Sequence, residues 1–268
     1  MACLYQWLRH CYFVYPHLYS RSTSILTPSL FCAAIYQSID APTNPYNLSI
    51  NTRSFGGGYH FALDEFWFPQ WPTATIYRYD RSGNLVNFFT AATAQTSILQ
   101  LFADPLGGGY YTANANLNTI TKLGPFPQNV KQWTFQLGAP AGGVSADSNY
   151  VYAIGVTGAR VSVLDRSNGA LVRNITLSGS NDSFTGLSGG FLVALGKIYR
   201  GDSSSNQRIY RYDLATGVYD GVSFTVAEPV RVLTFDGRDL CISGGFTTLY
   251  CYRIVSQDIY FCMMMLVL

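Results

Sequence analysis

The feature that most constrains this chain is a short phrase that occurs three times, at residues 76–83, 161–169 and 209–217. In each copy an alternating apolar run ends at an aspartate, and a short polar turn follows and ends at a glycine. Alternation with a period of two predicts a half-buried strand. An aspartate can accept the backbone N–H groups of a tight turn while glycine takes a positive φ. We therefore assign Asp80, Asp165 and Asp213 a structural role in turns between strands.

The segments around the phrase repeat with it. From about residue 45 the chain alternates short strands with turns rich in Gly, Asn, Asp and Pro, and five units of four strands can be drawn. Their third strands begin near residues 76, 119, 160, 209 and 249. A spacing of about 40 to 50 residues with four strands per unit is typical of a β-propeller blade. We predict an all-β propeller with five four-stranded blades; a larger propeller cut short would show the same pattern.

Two units and one segment are harder to assign. In the fourth unit we predict a first strand at Phe184–Leu187 and a second at Phe191–Tyr199. In the fifth we predict that the outermost strand runs from Ile259 to the end of the chain. Residues 45–54 form one further strand, which is either the outer strand of a missing blade or a strand that closes the ring.

The turns also resemble those of a known group of repeats. The segments Val163–Gly169 and Tyr212–Gly217 are similar to the Asp-x-x-Thr/Ser-Gly turns of quinoprotein-like and YVTN-like β-propeller repeats, over about residues 55–262. The Trp that follows in quinoprotein repeats is present only as Trp133; the matching positions hold Asn87, Arg173 and Gly221. The Gly-His and Trp-Asp pairs of WD40 repeats are absent from the sequence. The resemblance thus implies the architecture, and we expect no cofactor.

The two ends differ from the rest. Residues 1–44 are expected to form a leader or non-propeller segment before a propeller at 45–268, because they hold no acidic residue before Asp40 and include an apolar stretch. A secretory signal, an organelle transit peptide and an upstream translation start all fit that composition. Residues 259–268 are strongly apolar but too few to cross a membrane as a helix. They are either a buried strand or a surface for self-association.

Composition limits the partners. Charged residues make up 12% of the 268 residues, and the net charge is +2 without a basic cluster, so we expect no nucleic-acid partner. The three histidines are scattered and no ligand spacing occurs, so we expect no metal site. Cys241 and Cys251 flank a turn between two predicted strands; they form either a cross-strand disulfide or two buried thiols.

Three groups of residues are candidates for a function. Asp64, Asp147 and Asp236 follow predicted inner strands, where axial carboxylates could act as acid and base on a glycan, although aspartate also initiates turns. A dense aromatic segment could bind a sugar or a protein, or pack between blades. Its candidate residues are Trp67, Phe68 and Trp71. Sequons that permit glycosylation in a secreted eukaryotic protein begin at Asn47, Asn174 and Asn181.

We expect a non-catalytic binding or scaffold module, extracellular or at the cell surface, that presents a propeller face to a protein or a glycan. Two alternatives stay open. One is a carbohydrate-active hydrolase or lyase that uses the axial aspartates. The other is an extracellular structural protein that assembles through residues 259–268.

Overall fold

The structure is a computed structural model that describes residues 29–34, 44–47, 56–91, 97–180, 190–201, 207–226, 229–237, 239–244, 248–253 and 260–265. In these ranges the chain forms strands and turns and no α-helix. Among them there is accordingly no helix long and apolar enough to cross a membrane. The strands in chain order are β1 (Ser29–Ala34), β2 (Asn44–Asn47), β3 (Gly58–His60), β4 (Glu65–Pro69), β5 (Thr75–Asp80), β6 (Leu85–Thr90), β7 (Ile98–Ala103), β8 (Tyr110–Asn114), β9 (Thr119–Leu123), β10 (Lys131–Gln136), β11 (Ala141–Ala146), β12 (Tyr150–Gly155), β13 (Arg160–Asp165), β14 (Leu171–Thr176), β15 (Phe191–Ala194), β16 (Lys197–Gly201), β17 (Arg208–Asp213), β18 (Tyr219–Thr225), β19 (Val232–Phe235), β20 (Asp239–Ser243), β21 (Thr248–Arg253) and β22 (Tyr260–Met265).

The chain divides into two compact units. The smaller comprises Met1–Tyr36 and Ser256–Leu268, and in it β1 pairs antiparallel with β22. The larger, Gln37–Val255, is a five-bladed β-propeller, which confirms the predicted fold class. Blade 1 is β3–β6, blade 2 is β7–β10, blade 3 is β11–β14, blade 4 is β15–β18, and blade 5 is β19, β20, β21 and β2. The inner strands contact one another in succession, and β19 contacts β3.

The ring is closed by a strand from the other end of the chain. The fourth strand of blade 5 is β2, with Asn44 paired to Cys251 and Asn47 to Thr248. Of the two alternatives for residues 45–54, the closing strand is the one observed. The prediction that the chain from Ile259 onward supplies this fourth strand is wrong, because Tyr260–Met265 pairs with β1 instead.

Blade 4 also differs from the prediction. Its inner strand is β15, and the predicted second strand Phe191–Tyr199 contains two strands joined by a turn at Leu195 and Gly196. Both turn residues have positive φ, 52° and 70°. Leucine rarely adopts this conformation, which is why the turn is hard to see in the sequence. The predicted strand Phe184–Leu187 lies outside the described residues, as does most of the predicted leader.

The blades are held together by packed side chains and close backbone contacts. Neighbouring blades bury apolar side chains between them; for example, Ile154 and Ile175 of blade 3 pack with Phe191 of blade 4. Inner strands approach closely where glycine removes the Cβ: a Cβ on Gly58 would lie 2.8 Å from the carbonyl oxygen of Leu101. Inner-strand side chains also cross between blades, since Gln100 donates to the carbonyl of Phe191 at 2.7 Å.

The repeated phrase forms the turn between the third and fourth strands of blades 1, 3 and 4. In each turn the aspartate carboxylate accepts backbone N–H groups of the next residues, at 2.9 Å from Ser82 to Asp80, 2.8 Å from Ser167 to Asp165 and 3.0 Å from Thr216 to Asp213. The glycine that ends each turn has a φ of 74° to 82°. Hydrogen bonds lower the pKa of all three carboxyl groups; the largest contribution comes from the Asn84 side chain at Asp80, the Ser167 hydroxyl at Asp165 and the Thr216 backbone at Asp213.

Candidate interaction face

The turns between the inner and second strands lie around one end of the propeller axis. Inner strands of neighbouring blades run in the same direction, because Gly56 faces Gln100 and Gly58 faces Phe102 two residues further along. The turns that follow them therefore meet at one end, which we call the turn face. It is formed by residues 61–64, 104–109, 147–149, 195–196 and 236–237.

Large apolar side chains are exposed at this face. They belong to four of the five blades. All but Tyr150 lie within the turns, and Tyr150 is the first residue of the strand that follows. Their exposed fractions are 40% for Phe61, 44% for Leu63, 64% for Leu106, 37% for Tyr150 and 54% for Leu195. Single exposed apolar side chains are ordinary, but their presence in four successive blades at one end of the axis is typical of interaction sites.

A charged cluster joins blades 5 and 1 at the turn face. Arg81 follows the turn aspartate of blade 1, and its guanidinium donates to Asp64 at 2.6 Å and to Asp236 of blade 5 at 2.9 Å. The Tyr59 hydroxyl donates to Asp64 and accepts from Arg81 at 2.8 Å. Burial, together with the hydrogen bond to Asp64, raises the pKa of Tyr59 to about 12.

A second cluster joins blades 2 and 3 in the same manner. Arg166 again follows a turn aspartate, and its guanidinium pairs with the buried Asp104 of blade 2. It also donates to the Tyr111 hydroxyl at 3.2 Å, and Tyr111 in turn donates to Asp104 at 3.2 Å. Lys122 lies 3.8 Å from Asp104. The turn arginine thus ties one blade to the preceding one.

Blades 3 and 4 have the carboxylate and the tyrosine of this arrangement without the arginine. Asp147 follows the inner strand of blade 3 and accepts from the Tyr152 hydroxyl at 2.6 Å and from the backbone of Asn149 at 2.7 Å. The residue after the turn aspartate of blade 4 is Leu214, which packs on the apolar cluster that contains Tyr152. Within the described part of the chain, Asp147 has no ion-pair partner.

The candidate catalytic aspartates are therefore only partly brought together. Asp64 and Asp236 share Arg81, whereas Asp147 lies two blades away. The expectation that Asp64 occupies the same place as the other two is wrong. The strand register puts Phe61 at that place in blade 1, because His60 pairs with Glu65 as Ala103 pairs with Tyr110. Hydrogen bonds from Tyr59 and Arg81 lower the pKa of Asp64, the opposite of what a general acid needs.

Two of the three aromatic candidates are buried. Trp67 and Phe68 are each 1% exposed, so the expected aromatic patch does not include them. Trp67 packs edge-on against Tyr110 of blade 2, and Phe68 belongs to the cluster between blades 5 and 1. Trp71 is half-buried in the turn between the second and third strands. Alternate residues of this strand point to opposite sheet faces, and both faces are covered by neighbouring blades.

The remaining candidates that the structure describes lie in strands, outside the turns of the turn face. Cys241 and Cys251 are opposite each other on β20 and β21, and the structure joins them in a disulfide. Asn174 is exposed on the outer strand of blade 3, where its side-chain oxygen accepts from Ser162 at 3.2 Å. Asn47 is the last residue of β2, and Asn181 lies outside the described residues.

The sequence does not single out the residues that build this face. Arg81 and Arg166 are visible only as the residue after the aspartate in two of the three phrases, and the aspartates that they bind in the preceding blade are 155 and 62 residues away. Leu106 carries one available signal, because a large apolar residue within a predicted turn satisfies no turn chemistry. Leu195 carries no such signal, because it lies within the predicted strand Phe191–Tyr199.

Comparison with known proteins supports the fold. No protein-family model and no curated protein matches the chain. A glutaminyl cyclase from Myxococcus xanthus superposes with a TM-score of 0.59 at 14% identity, over 79% of this chain and 94% of that one. BamB from Moraxella catarrhalis (TM-score 0.46, 14% identity, 75% and 85% covered) and Hsv2 from Kluyvelomyces marxianus (0.44, 8%, 72% and 56%) are more distant. The first likeness shows a shared fold, and the repeat family stays a resemblance.

Proposed function

We propose that this protein is a non-catalytic binding module that docks a protein partner on its turn face. The observation that carries the proposal is the recurrence of exposed apolar side chains in the turns of four successive blades. A soluble protein gains no folding stability from them there, since they stay largely in water. Burial against a partner recovers that free energy, and exposed apolar patches with polar rims are typical of interaction sites.

The charged groups of the face support binding over catalysis. Asp236 is held by Arg81 and Asp104 by Arg166, so these two carboxylates join blades, and Asp64 pairs with Arg81 within blade 1. The half-buried arginines keep part of their guanidinium surface in solvent; the Arg81 side chain is 33% exposed. Arginine and aromatic residues among aliphatic ones resemble the composition of protein interfaces.

Site-specific photo-crosslinking tests the proposal. A photoreactive amino acid is placed at Leu106 or Leu195 on the turn face, and at Leu117, which is 55% exposed but lies in a turn between second and third strands at the other end of blade 2. We expect discrete crosslinked protein from the turn-face positions and none from Leu117. The partner identified by crosslinking is then purified on its own, and the Kd of its complex with the unlabelled chain is measured.

The quantitative step uses Leu106→Ser with Leu195→Ser, against Leu117→Ser as the matched control. Loss of two buried leucine contacts at an interface should weaken binding by about 100-fold or more, at about 1.5–3 kcal/mol per side chain. The control should bind as the unaltered chain does. Equal crosslinking at both ends, or binding unaffected by the double substitution, would refute the proposed function.

We further propose an extracellular or cell-surface location. Its support is the disulfide between Cys241 and Cys251, since such bonds persist in oxidising compartments. Mass spectrometry of the alkylated protein from its native source should show these two cysteines unalkylated before reduction. Alkylation of both without reduction would contradict this location.

A further inference from the structure

We propose that Asp147 and Tyr152 form a binding site for an arginine side chain of the partner protein. This inference rests on the proposed function, because it names the chemistry that the partner brings to the turn face. It depends on comparing the three seams of the propeller at which an aspartate follows the inner strand: between blades 5 and 1, 2 and 3, and 3 and 4.

The site of blade 3 shares the aspartate and the tyrosine of the occupied site of blade 2, and it has Val163 where blade 2 has Lys122. Asp104 and Asp147 each come directly after the last residue of their inner strand. Phe102 pairs with Tyr111 and Ser145 with Tyr152, so the two tyrosines hold the same register position. Both hydroxyl groups donate to the neighbouring aspartate, at 3.2 Å in blade 2 and 2.6 Å in blade 3.

The occupied site shows what this pair of residues can bind. In blade 2 the carboxylate and the tyrosine oxygen together accept hydrogen bonds from one guanidinium, that of Arg166. The planar fork of arginine can address both acceptors at once, whereas the single ammonium of lysine acts as a point charge. The same chemistry at Asp147 therefore selects arginine.

The chain leaves this third site to a partner. The position that holds Arg81 in blade 1 and Arg166 in blade 3 holds Leu214 in blade 4. Leu214 is half-buried on the apolar cluster of Tyr152, so it brings an apolar wall. The nearest arginines donate to backbone carbonyls instead of pairing with Asp147: Arg166 to Ser148 at 3.3 Å and Arg173 to Ala215 at 3.5 Å. Asp147 is partly exposed, and Tyr150 and Leu195 beside this seam are among the exposed apolar side chains of the turn face. A cation flanked by apolar side chains complements this surface.

Nuclear magnetic resonance titration of the full chain tests the inference with defined probes. The probes are acetyl-Gly-Arg-Gly-amide and its lysine counterpart, and the readout is the amide shifts of residues 147–152. We expect weak, saturable binding of the arginine peptide. Asp147→Asn should weaken it by about tenfold or more, since it removes the charge while its amide oxygen can still accept from the turn N–H groups. Leu214→Arg should abolish binding by filling the site from within.

Leu117→Arg is the control for the added charge, because Leu117 lies at the end of blade 2 opposite the turn face. It should leave the titration unchanged. Equal binding of the lysine peptide, or binding that persists in Leu214→Arg, would overturn the assignment. Because the crosslinking experiment reads contacts at Leu106 and Leu195, a partner that docks there while the arginine peptide fails to bind would remove this inference and leave the proposed function standing.

Discussion

The ion pair between Arg166 and Asp104 offers the sharpest test of how the blades are held together. We consider Arg166→Met, which keeps much of the aliphatic stem and removes the guanidinium. The Asp104 side chain is fully buried and that of Arg166 is 15% exposed, so the substitution leaves a carboxylate away from water with one cation fewer. Removal of one partner of a buried pair costs about 3–5 kcal/mol.

Two features reduce that cost here. Lys122 remains 3.8 Å from Asp104, and the Tyr111 hydroxyl and the Leu106 N–H continue to donate to it. We therefore expect a loss of about 2–3 kcal/mol in the free energy of unfolding. For a chain of this size that corresponds to a melting temperature lower by about 5–10 °C. Thermal unfolding followed by circular dichroism measures it.

The control is Lys197→Met, which removes the same charge from two more exposed contacts, with Asp213 at 3.4 Å and with Asp220 at 3.5 Å, and Asp220 keeps Arg211 as a partner. Lys197 and Asp213 are 31% and 38% exposed, and such pairs contribute about 0–1 kcal/mol. Adding Asp104→Asn to Arg166→Met should recover part of the loss, because no charge is then left buried. Two outcomes would show that Arg166 does not hold the blades together in this way. One is that Arg166→Met lowers the free energy of unfolding no more than Lys197→Met does. The other is that adding Asp104→Asn destabilises the Arg166→Met protein further.

Three further predictions concern single contacts. Tyr59→Phe should raise the depressed pKa of Asp64, as measured by a carboxyl-carbon NMR titration, and an unchanged titration would contradict the role of the hydroxyl. Because the pKa of Asp64 is lowered in the folded state, its contribution to stability is present above its ordinary pKa of about 4 and is lost as the pH falls through the folded value. Gly58→Ala should lower the free energy of unfolding in urea by about 1–3 kcal/mol, because its Cβ would lie 2.8 Å from a neighbouring carbonyl oxygen. At Gly155 the nearest atom would lie 3.4 Å from the Cβ, so the same substitution should cost less. Equal losses at the two positions would refute close packing of the inner strands. Replacing Cys241 and Cys251 by Ala should lower the free energy of unfolding by about 2–3 kcal/mol, because the disulfide closes a loop with a sequence separation of 10. A reducing agent should then leave the melting temperature of the variant unchanged. If the agent lowers the melting temperature of the variant and of the unaltered protein equally, it does not act through this disulfide.

The parts of the fold that depend on local chemistry were predictable from the sequence. The third strands begin at residues 75, 119, 160, 208 and 248, within a residue of the predicted positions, because alternation and the Asp-to-Gly turns act over fewer than ten residues. Blade 4 shows the limit of such reasoning. A leucine at positive φ divides one apolar run into two strands, and no local pattern marks it.

Ring closure and the turn face depend on contacts between distant residues. The pairing of β2 with β21 joins segments about 200 residues apart, and an outer strand has the same sequence pattern whether it closes a ring or belongs to another blade. Likewise, the sequence shows Arg81 only as an ordinary polar turn residue, because its contact with blade 5 depends on that blade lying beside blade 1. Burial of Trp67 and Phe68 has the same origin, since neighbouring blades cover both faces of the strand.

The three copies of the phrase separate two roles that the sequence presents together. All three aspartates cap their own turns, and the copy at Asp213 does so without the arginine, so the turn does not require that residue. In the other two copies the arginine binds an aspartate of the preceding blade, which is a contact across a seam and not within the turn. The blade 3 to blade 4 seam keeps the aspartate and the tyrosine but replaces the arginine with Leu214. The change from arginine to leucine, with no change of fold, therefore separates the seams whose aspartate is paired within the protein from the seam at which we propose that a partner's arginine binds.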